Sequence, residues 1–356
     1  MIKNHDLLIS IYRCPDAIRE LTLSQWDLLI RQAHSSNMLA RLSWILESAN
    51  LNSEIPALAI KHLDSARALS AGHERSVRWE VNRVCHAFKS LDLPVILLKG
   101  AAYWALDLPF GKGRIYNDLD LLVPKNVLDR VEKTLLLYGW TTTHHDPYDQ
   151  KYFREWMHEI PPLKHIHRQS VLDVHHSIIP LSSRLTTDID KIRSCIQPVA
   201  GLPQVFTLSP LDLVLHSATH LFQEGEFEHG FRGVCDLDGV LRHYSKLMDD
   251  FWSQLIGRAI ELHLIKPLYY ALAYTKEMLG TPVPTDFHDK LGSGVPRGWT
   301  ASLMRFLFLH ALRPYHYSCD RKISSLARWL LYIRSHYIKM PVSILLPHLF
   351  RKAFIS

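Results

Sequence analysis

The segment Asp118-Leu119-Asp120-Leu121-Leu122-Val123 alternates acidic and apolar residues with a period of two, the pattern of a strand with one packed face and one wet face. Two carboxylates on one strand face repel each other, so a chain that keeps them there calls for a cation between them. The surrounding sequence also turns strand-like. Leu93-Pro94-Val95-Ile96-Leu97-Leu98 is a short continuous apolar run that reads as a buried strand. Pro124 ends the acidic strand, and Leu163–His167, a turn at Arg168–Ser170 and Val171–His176 form a hairpin pattern. Its second arm, Leu172-Asp173-Val174, places a third carboxylate on a wet face. Most other segments read as helix, which predicts an α+β fold with a small sheet embedded among helices.

Three carboxylates on neighbouring strands make a hard, oxygen-rich site suited to Mg²⁺ or Mn²⁺. Ions held by Asp118, Asp120 and Asp173 would stabilise the attacking and leaving oxygens of a displacement at phosphorus. Upstream, Gly100 at a strand-to-helix turn lets the backbone approach a phosphate, with a helix over Ala101–Leu106 aiming its N–H groups at the same anion. Lys99 and Arg114, the latter four residues ahead of the pair, would neutralise a triphosphate. Simpler readings exist for each residue. Asp-x-Asp pairs are common on surfaces, Asp173 could pair with His175, and Arg114 could lock its loop to an acid. The conjunction of strand, glycine turn, basic residues and a later acidic strand favours the site.

This combination resembles nucleotidyltransferases with the DNA polymerase β fold. More closely, it resembles a bacterial nucleotidyltransferase family often encoded with exopolysaccharide genes. The matching elements are Leu97-Leu98-Lys99-Gly100, Arg114 with Asn117 to Val123, and Leu172-Asp173-Val174-His175. Trp26–Ala33 and Arg232–Asp236 match the family's flanks, so the resemblance covers roughly residues 20 to 245. It implies Mg-dependent transfer of a nucleotide from an NTP to an acceptor the sequence does not identify. Asp118 and Asp120 would be ligands of both metals and Asp173 the third ligand near the attacking hydroxyl. One departure stands out: the wider superfamily follows the turn glycine with Ser or Gly, whereas Ala101 follows Gly100 here. The rival expectation is a catalytically degenerate adaptor of the same fold within a biosynthetic complex.

The flanks divide the chain into a helical region over 1–90, the core over 91–180, a helical domain over 181–280, and a linker with a basic helical region over 281–356. Ser24 is the expected N-cap of the helix carrying Trp26, Leu29, Ile30 and Ala33. A second apolar face runs through Leu39, Leu42, Ile45 and Leu46, and a long helix spans Ile60–Ser90. Val127–Leu135 forms an amphipathic helix closed by Gly139. Beyond Pro180 only helices are expected: one from Pro210 capped by Ser209, one over Arg232–Tyr244, and one over Phe251–Leu279.

No stretch of about 18 uncharged apolar residues occurs, and the start Met1–Asp6 lacks the pattern of a signal peptide. Cys14, Cys85, Cys195, Cys235 and Cys319 form no C-x-x-C pair and suit a reducing compartment. A cytoplasmic protein is therefore expected, peripheral to a membrane if its tail so dictates. Residues 321–356 hold seven Lys or Arg and no acid, leaving 34 basic against 35 acidic side chains elsewhere. In that tail Trp329, Leu330, Leu331, Ile333, Tyr337 and Ile338 interleave with Arg328, Arg334 and Lys339, before Arg351-Lys352. This pattern fits a packed terminal helix or one lying on an anionic membrane surface. Nucleic acid is not an expected partner, because no recognition module accompanies the basic tail.

Among the histidines, His216 and His220 share a helix face without the intervening Glu of a zinc-protease motif, so packing is their expected role. Of His175 and His176, one must face away from the site. Arg232 and Asp236 are placed for an i,i+4 salt bridge.

Overall fold

In the computed structural model, which describes residues 3–223 and 225–354, seven short strands make one mixed sheet. Met1, Ile2, Ser356 and the Lys352 side chain, part of the terminal readings above, lie outside the described residues. The strands are β1 Val95–Leu97, β2 Leu119–Leu122, β3 Trp140–Thr142, β4 Leu163–His165, β5 Val171–His175, β6 Gln197–Val199 and β7 Leu202–Thr207. Their order is β3-β4-β5-β2-β1-β7-β6. The two wholly apolar-backed strands, β1 and β2, thus sit near the middle, where every residue is buried.

β2 runs antiparallel to β1 and parallel to β5. The β2–β5 register sets Asp120 directly beside Asp173. Because side chains alternate faces, both carboxylates project from one side of the sheet while Leu121 and Val174 pack on the other. The expected hairpin is present as β4 and β5. Strands β6 and β7 correct the expectation that only helices follow Pro180. Pro198, Gly201 and Pro203 disguise this second hairpin as a loop, although Val205 and Thr207 are fully buried as β7 pairs in parallel with β1.

Helices surround the sheet. The helix Leu23–Ser35 begins two residues earlier than expected: Thr22, not Ser24, caps it, in a reciprocal capping box with Gln25. The helix Ala57–Phe88 is 32 residues long, about 48 Å at 1.5 Å per residue, and buries Val77, Val81, Val84 and Phe88. The expected helix over Phe251–Leu279 is broken into Phe251–Glu261 and Ile265–Leu279. His263 takes a left-handed conformation (φ 58°) between them, while Leu262 and Leu264 stay in the core. Within 281–298, Val283, Phe287 and Leu291 are buried, and the Thr281 hydroxyl donates to Asp238 at 2.6 Å.

The tail helix Ser324–Lys339 is docked on the body. Arg334 donates to the Phe222 carbonyl at 2.9 Å and lies over the Tyr270 and Phe308 rings. Leu331 is buried, whereas Leu326, Trp329, Leu330, Ile333 and Tyr337 remain exposed. Among the described residues no helix is long and apolar enough to cross a membrane.

Candidate active site

The end of β1 and the start of β2 meet at the site. Leu98 donates its N–H to the Asp120 carbonyl, so Lys99 emerges beside Asp120 as it opens the helix Lys99–Ala105. Lys99 adopts a positive φ of 46°, an uncommon turn for a residue with a side chain. Its ammonium donates to Asp120 Oδ1 at 2.6 Å. The same oxygen lies 2.9 Å from His175 Nε2. Of the two adjacent histidines, His175 therefore faces the site, and His176 is buried on the other side.

These contacts separate three neighbouring carboxyls. Burial alone would raise the Asp120 pKa, but the Lys99 charge and the His175 hydrogen bond hold it below the usual carboxylate range. Asp173 has no such partner. Burial and the charges of Asp120 and Glu159 push it up to about 7, and its Oδ1 is buried without a hydrogen-bond partner. Asp118, at the exposed rim, is raised by desolvation and by Asp120, against the pull of Lys99, Arg114 and Arg232. A buried carboxylate oxygen with no donor, directly beside Asp120 in register, suits a divalent cation, and Asp118 lines the same cavity although the three carboxylates do not all converge within 4.8 Å of one another.

A basic lobe adjoins this acidic one. Asp236, on the helix Gly230–Leu247, is 5% exposed and receives Arg41 Nη2 at 2.6 Å and Arg114 Nε at 3.3 Å. Arg232, expected to pair with Asp236 along the helix, instead donates to the Ile115 carbonyl at 3.5 Å. Among the described residues no carboxylate lies within ion-pair distance of it. Burial and the Arg114 charge lower the Arg232 pKa to about 10, which leaves it charged at neutral pH. Three guanidinium groups thus face one carboxylate, and the excess positive charge, partly removed from water, favours an anion.

Two glycines shape this lobe. Gly113 (φ +71°) passes so close to residues 40 and 41 that a Cβ would stand 2.6 Å from the Arg41 backbone nitrogen. Gly100 has the Arg114 guanidinium against its Cα, where a Cβ would sit 2.0 Å from Nη1. In this structure Gly100 therefore gives close approach to Arg114, and Ala101 points into the core at 2% exposure.

Both lobes open into one cavity of ≈ 380 Å³. All six residues selected from the sequence as site candidates border it or flank it: Lys99, Arg114, Asp118, Asp120 and Asp173 line the cavity, with Gly100 behind Arg114. His158, Glu159, Arg232, His220 and Asp236 line it as well. Glu159 reaches the site because it forms a bridge with His175, flanked by hydrogen bonds from Ile160 to Val174 and from His176 to His158. Neither His158 nor Glu159 belonged to a strand pattern, so sequence reasoning had no signal for them. His216 and His220 are held neutral by burial, with the Lys99 charge adding to it.

A family model described as an uncharacterised nucleotidyltransferase matches residues 22–280, more than half of the chain. No curated protein and no solved structure matches the chain.

Proposed function

The chain belongs to this uncharacterised nucleotidyltransferase family, and we propose that it transfers a nucleoside monophosphate from an NTP to a hydroxyl-bearing acceptor with the help of Mg²⁺ or Mn²⁺, the acceptor oxygen bonding to the α-phosphorus as pyrophosphate leaves. The observation that carries this reading is the β2–β5 register, which aligns Asp120 and Asp173 beside Asp118 at the edge of an arginine-rich lobe. The acidic lobe suits a cation and the basic lobe suits phosphates.

In this reading Asp118, Asp120 and Asp173 would hold the metal, which supplies charge neutralisation to the phosphates and lowers the pKa of an attacking hydroxyl. Arg114 and Arg232 bind the phosphate chain, and Arg41 holds Asp236 so that Arg114 stays in place. Lys99 keeps Asp120 ionised. Burial and the charges of Asp120 and Glu159 raise the proton affinity of Asp173, and a metal bound there would relieve that repulsion and keep its carboxylate ionised. The outward stripe of Trp329, Ile333 and Tyr337 next to the basic tail supports a resting position on an anionic membrane surface.

The test is titration of each NTP with Mg²⁺ or Mn²⁺ into wild type and the Asp118→Asn/Asp120→Asn variant, followed by incubation with labelled NTP and cell extract. The reading expects metal-dependent nucleotide binding that the double variant loses, and one labelled acceptor. Absence of binding by the wild type with either ion would sink it and leave the adaptor role.

A further inference from the structure

We propose that His158, Glu159 and His175 form a second, chemically different metal site that takes a first-row transition ion, Zn²⁺ foremost, on the wall of the same cavity. It shares no ligand with the Asp118, Asp120 and Asp173 set, and it stands whether or not nucleotide transfer occurs.

The three residues offer two imidazole nitrogens and one carboxylate oxygen, all within 4.8 Å of one another. Backbone pairing fixes the arrangement. The 158–160 segment hydrogen-bonds to 174–176, which brings His158 and Glu159 alongside His175 without a continuous strand. The His158 and His175 rings lie stacked, 5.2 Å apart between centroids.

The hydrogen bonds that are missing point to a ligand. His175 is 2% exposed, and its Nε2 engages Asp120 at 2.9 Å. In the neutral ring, donation through Nε2 leaves a lone pair at Nδ1. That Nδ1 has no hydrogen-bond partner, although Glu159 Oε2 lies 3.3 Å away. A positive centre, either a proton or a metal ion, belongs between that nitrogen and the carboxylate oxygen. His158 Nδ1 is likewise buried without a partner, which a proton shared by His175 and Glu159 would not explain.

The outer contacts match what metal-bound histidines use. A ligating imidazole commonly donates its far N–H to a carboxylate, which fixes the tautomer and makes the ring a better donor. Asp120 occupies that position behind His175, and Lys99 in turn holds Asp120. Two imidazoles and a carboxylate, with a fourth position open to the cavity, are a zinc-type donor set, whereas Mg²⁺ prefers oxygen alone. A tetrahedral ion at about 2.0–2.2 Å from its ligands needs ligand separations of about 3.3–3.6 Å. Small rotations of Glu159, whose side chain is 18% exposed, bring the set toward that size.

The experiment uses the metal-stripped full chain, titrated with Zn²⁺ and with Co²⁺ as an optical probe, in excess Mg²⁺. Wild type is expected to take one ion that Mg²⁺ does not displace, with the visible absorption of four-coordinate Co²⁺ and an X-ray absorption edge showing two imidazoles. Glu159→Gln and His158→Ala are expected to weaken binding at least about 100-fold. Asp118→Asn is expected to bind zinc like wild type while losing any Mg-nucleotide binding, which separates this site from the nucleotide reading. Should His158→Ala not fold, Glu159→Gln carries the test through its semi-exposed side chain. Three results overturn the proposal: no tight ion in the wild type, unchanged affinity in Glu159→Gln, or equal loss in Asp118→Asn.

Discussion

The Lys99 ammonium lies 2.6 Å from Asp120 Oδ1, inside the cluster it would otherwise be expected to leave for a phosphate. Asp120 is 3% exposed, so removing its cation strands a charge that water cannot reach. Lys99→Met is therefore expected to cost about 2–3 kcal/mol, because His175 remains as a second partner. The check is a double-mutant cycle by urea unfolding. Lys99→Met/Asp120→Asn should be more stable than Lys99→Met alone, and an additive cycle would show that the pair does not act together.

Gly100→Ala tests the contact with Arg114. The new methyl group must expel a guanidinium that is tied to Asp236. A loss of about 1–3 kcal/mol is expected, with weaker phosphate binding by at least tenfold. In the Arg114→Ala background the same glycine change should cost much less. Equal costs in both backgrounds would mean that Gly100 is needed for its backbone alone.

Asp173→Asn separates stability from activity. The native carboxyl titrates near 7, above its unfolded value of about 3.9, so at pH 8 the fold must hold an ionised group it disfavours. Below about pH 4 the group is protonated in both states and the burden vanishes. The Asn variant should be more stable than wild type by about 2 kcal/mol at pH 8, with no advantage near pH 4. Its nucleotide turnover should fall by about 10²–10⁴. A variant less stable than wild type at pH 8 contradicts this account.

The buried histidines set the response to mild acid. Burial keeps His158, His176, His216 and His220 neutral in the fold, with His176 lowered to about 4. Groups with depressed native pKa contribute their full stability above the unfolded value of about 6.5 and lose it as pH falls toward the native one. His175 and Asp173, both raised, oppose this, but they are fewer. Unfolding should take up protons on balance, and stability should fall by at least about 1 kcal/mol per pH unit from 6.5 to 5. Urea midpoints at pH 7, 6 and 5 measure the slope, which His176→Asn should make shallower.

The legible part of this site is the part built from local periodicity. Asp118-Leu-Asp120 and Leu172-Asp173-Val174 announce their strands because an alternating pattern leaves one face for the core and one for chemistry. The β6–β7 hairpin escaped because Pro198 and Pro203 sit within its short strands and Gly201 in the turn between them. The left-handed turn at His263 escaped because the apolar spacing continues through it. Asp236 was visible only as a helical neighbour of Arg232, and its true partner Arg41 stands 195 residues away. No pattern within a helix reports a contact of that range. Glu159 and His158 depend on a single bridge rather than on a strand, so they too became visible only in three dimensions.

The Arg41–Arg114–Asp236 junction also has an order in time. Translation delivers the two arginines long before the carboxylate that reconciles them. Until residue 236 leaves the ribosome, Arg41 and Arg114 have no counter-charge from it and little reason to enter a core. The basic lobe is therefore a late event in the life of the chain. Arrest of synthesis short of that residue should leave both arginines, one on its helix and one in the loop before β2, in water without the carboxylate that joins them.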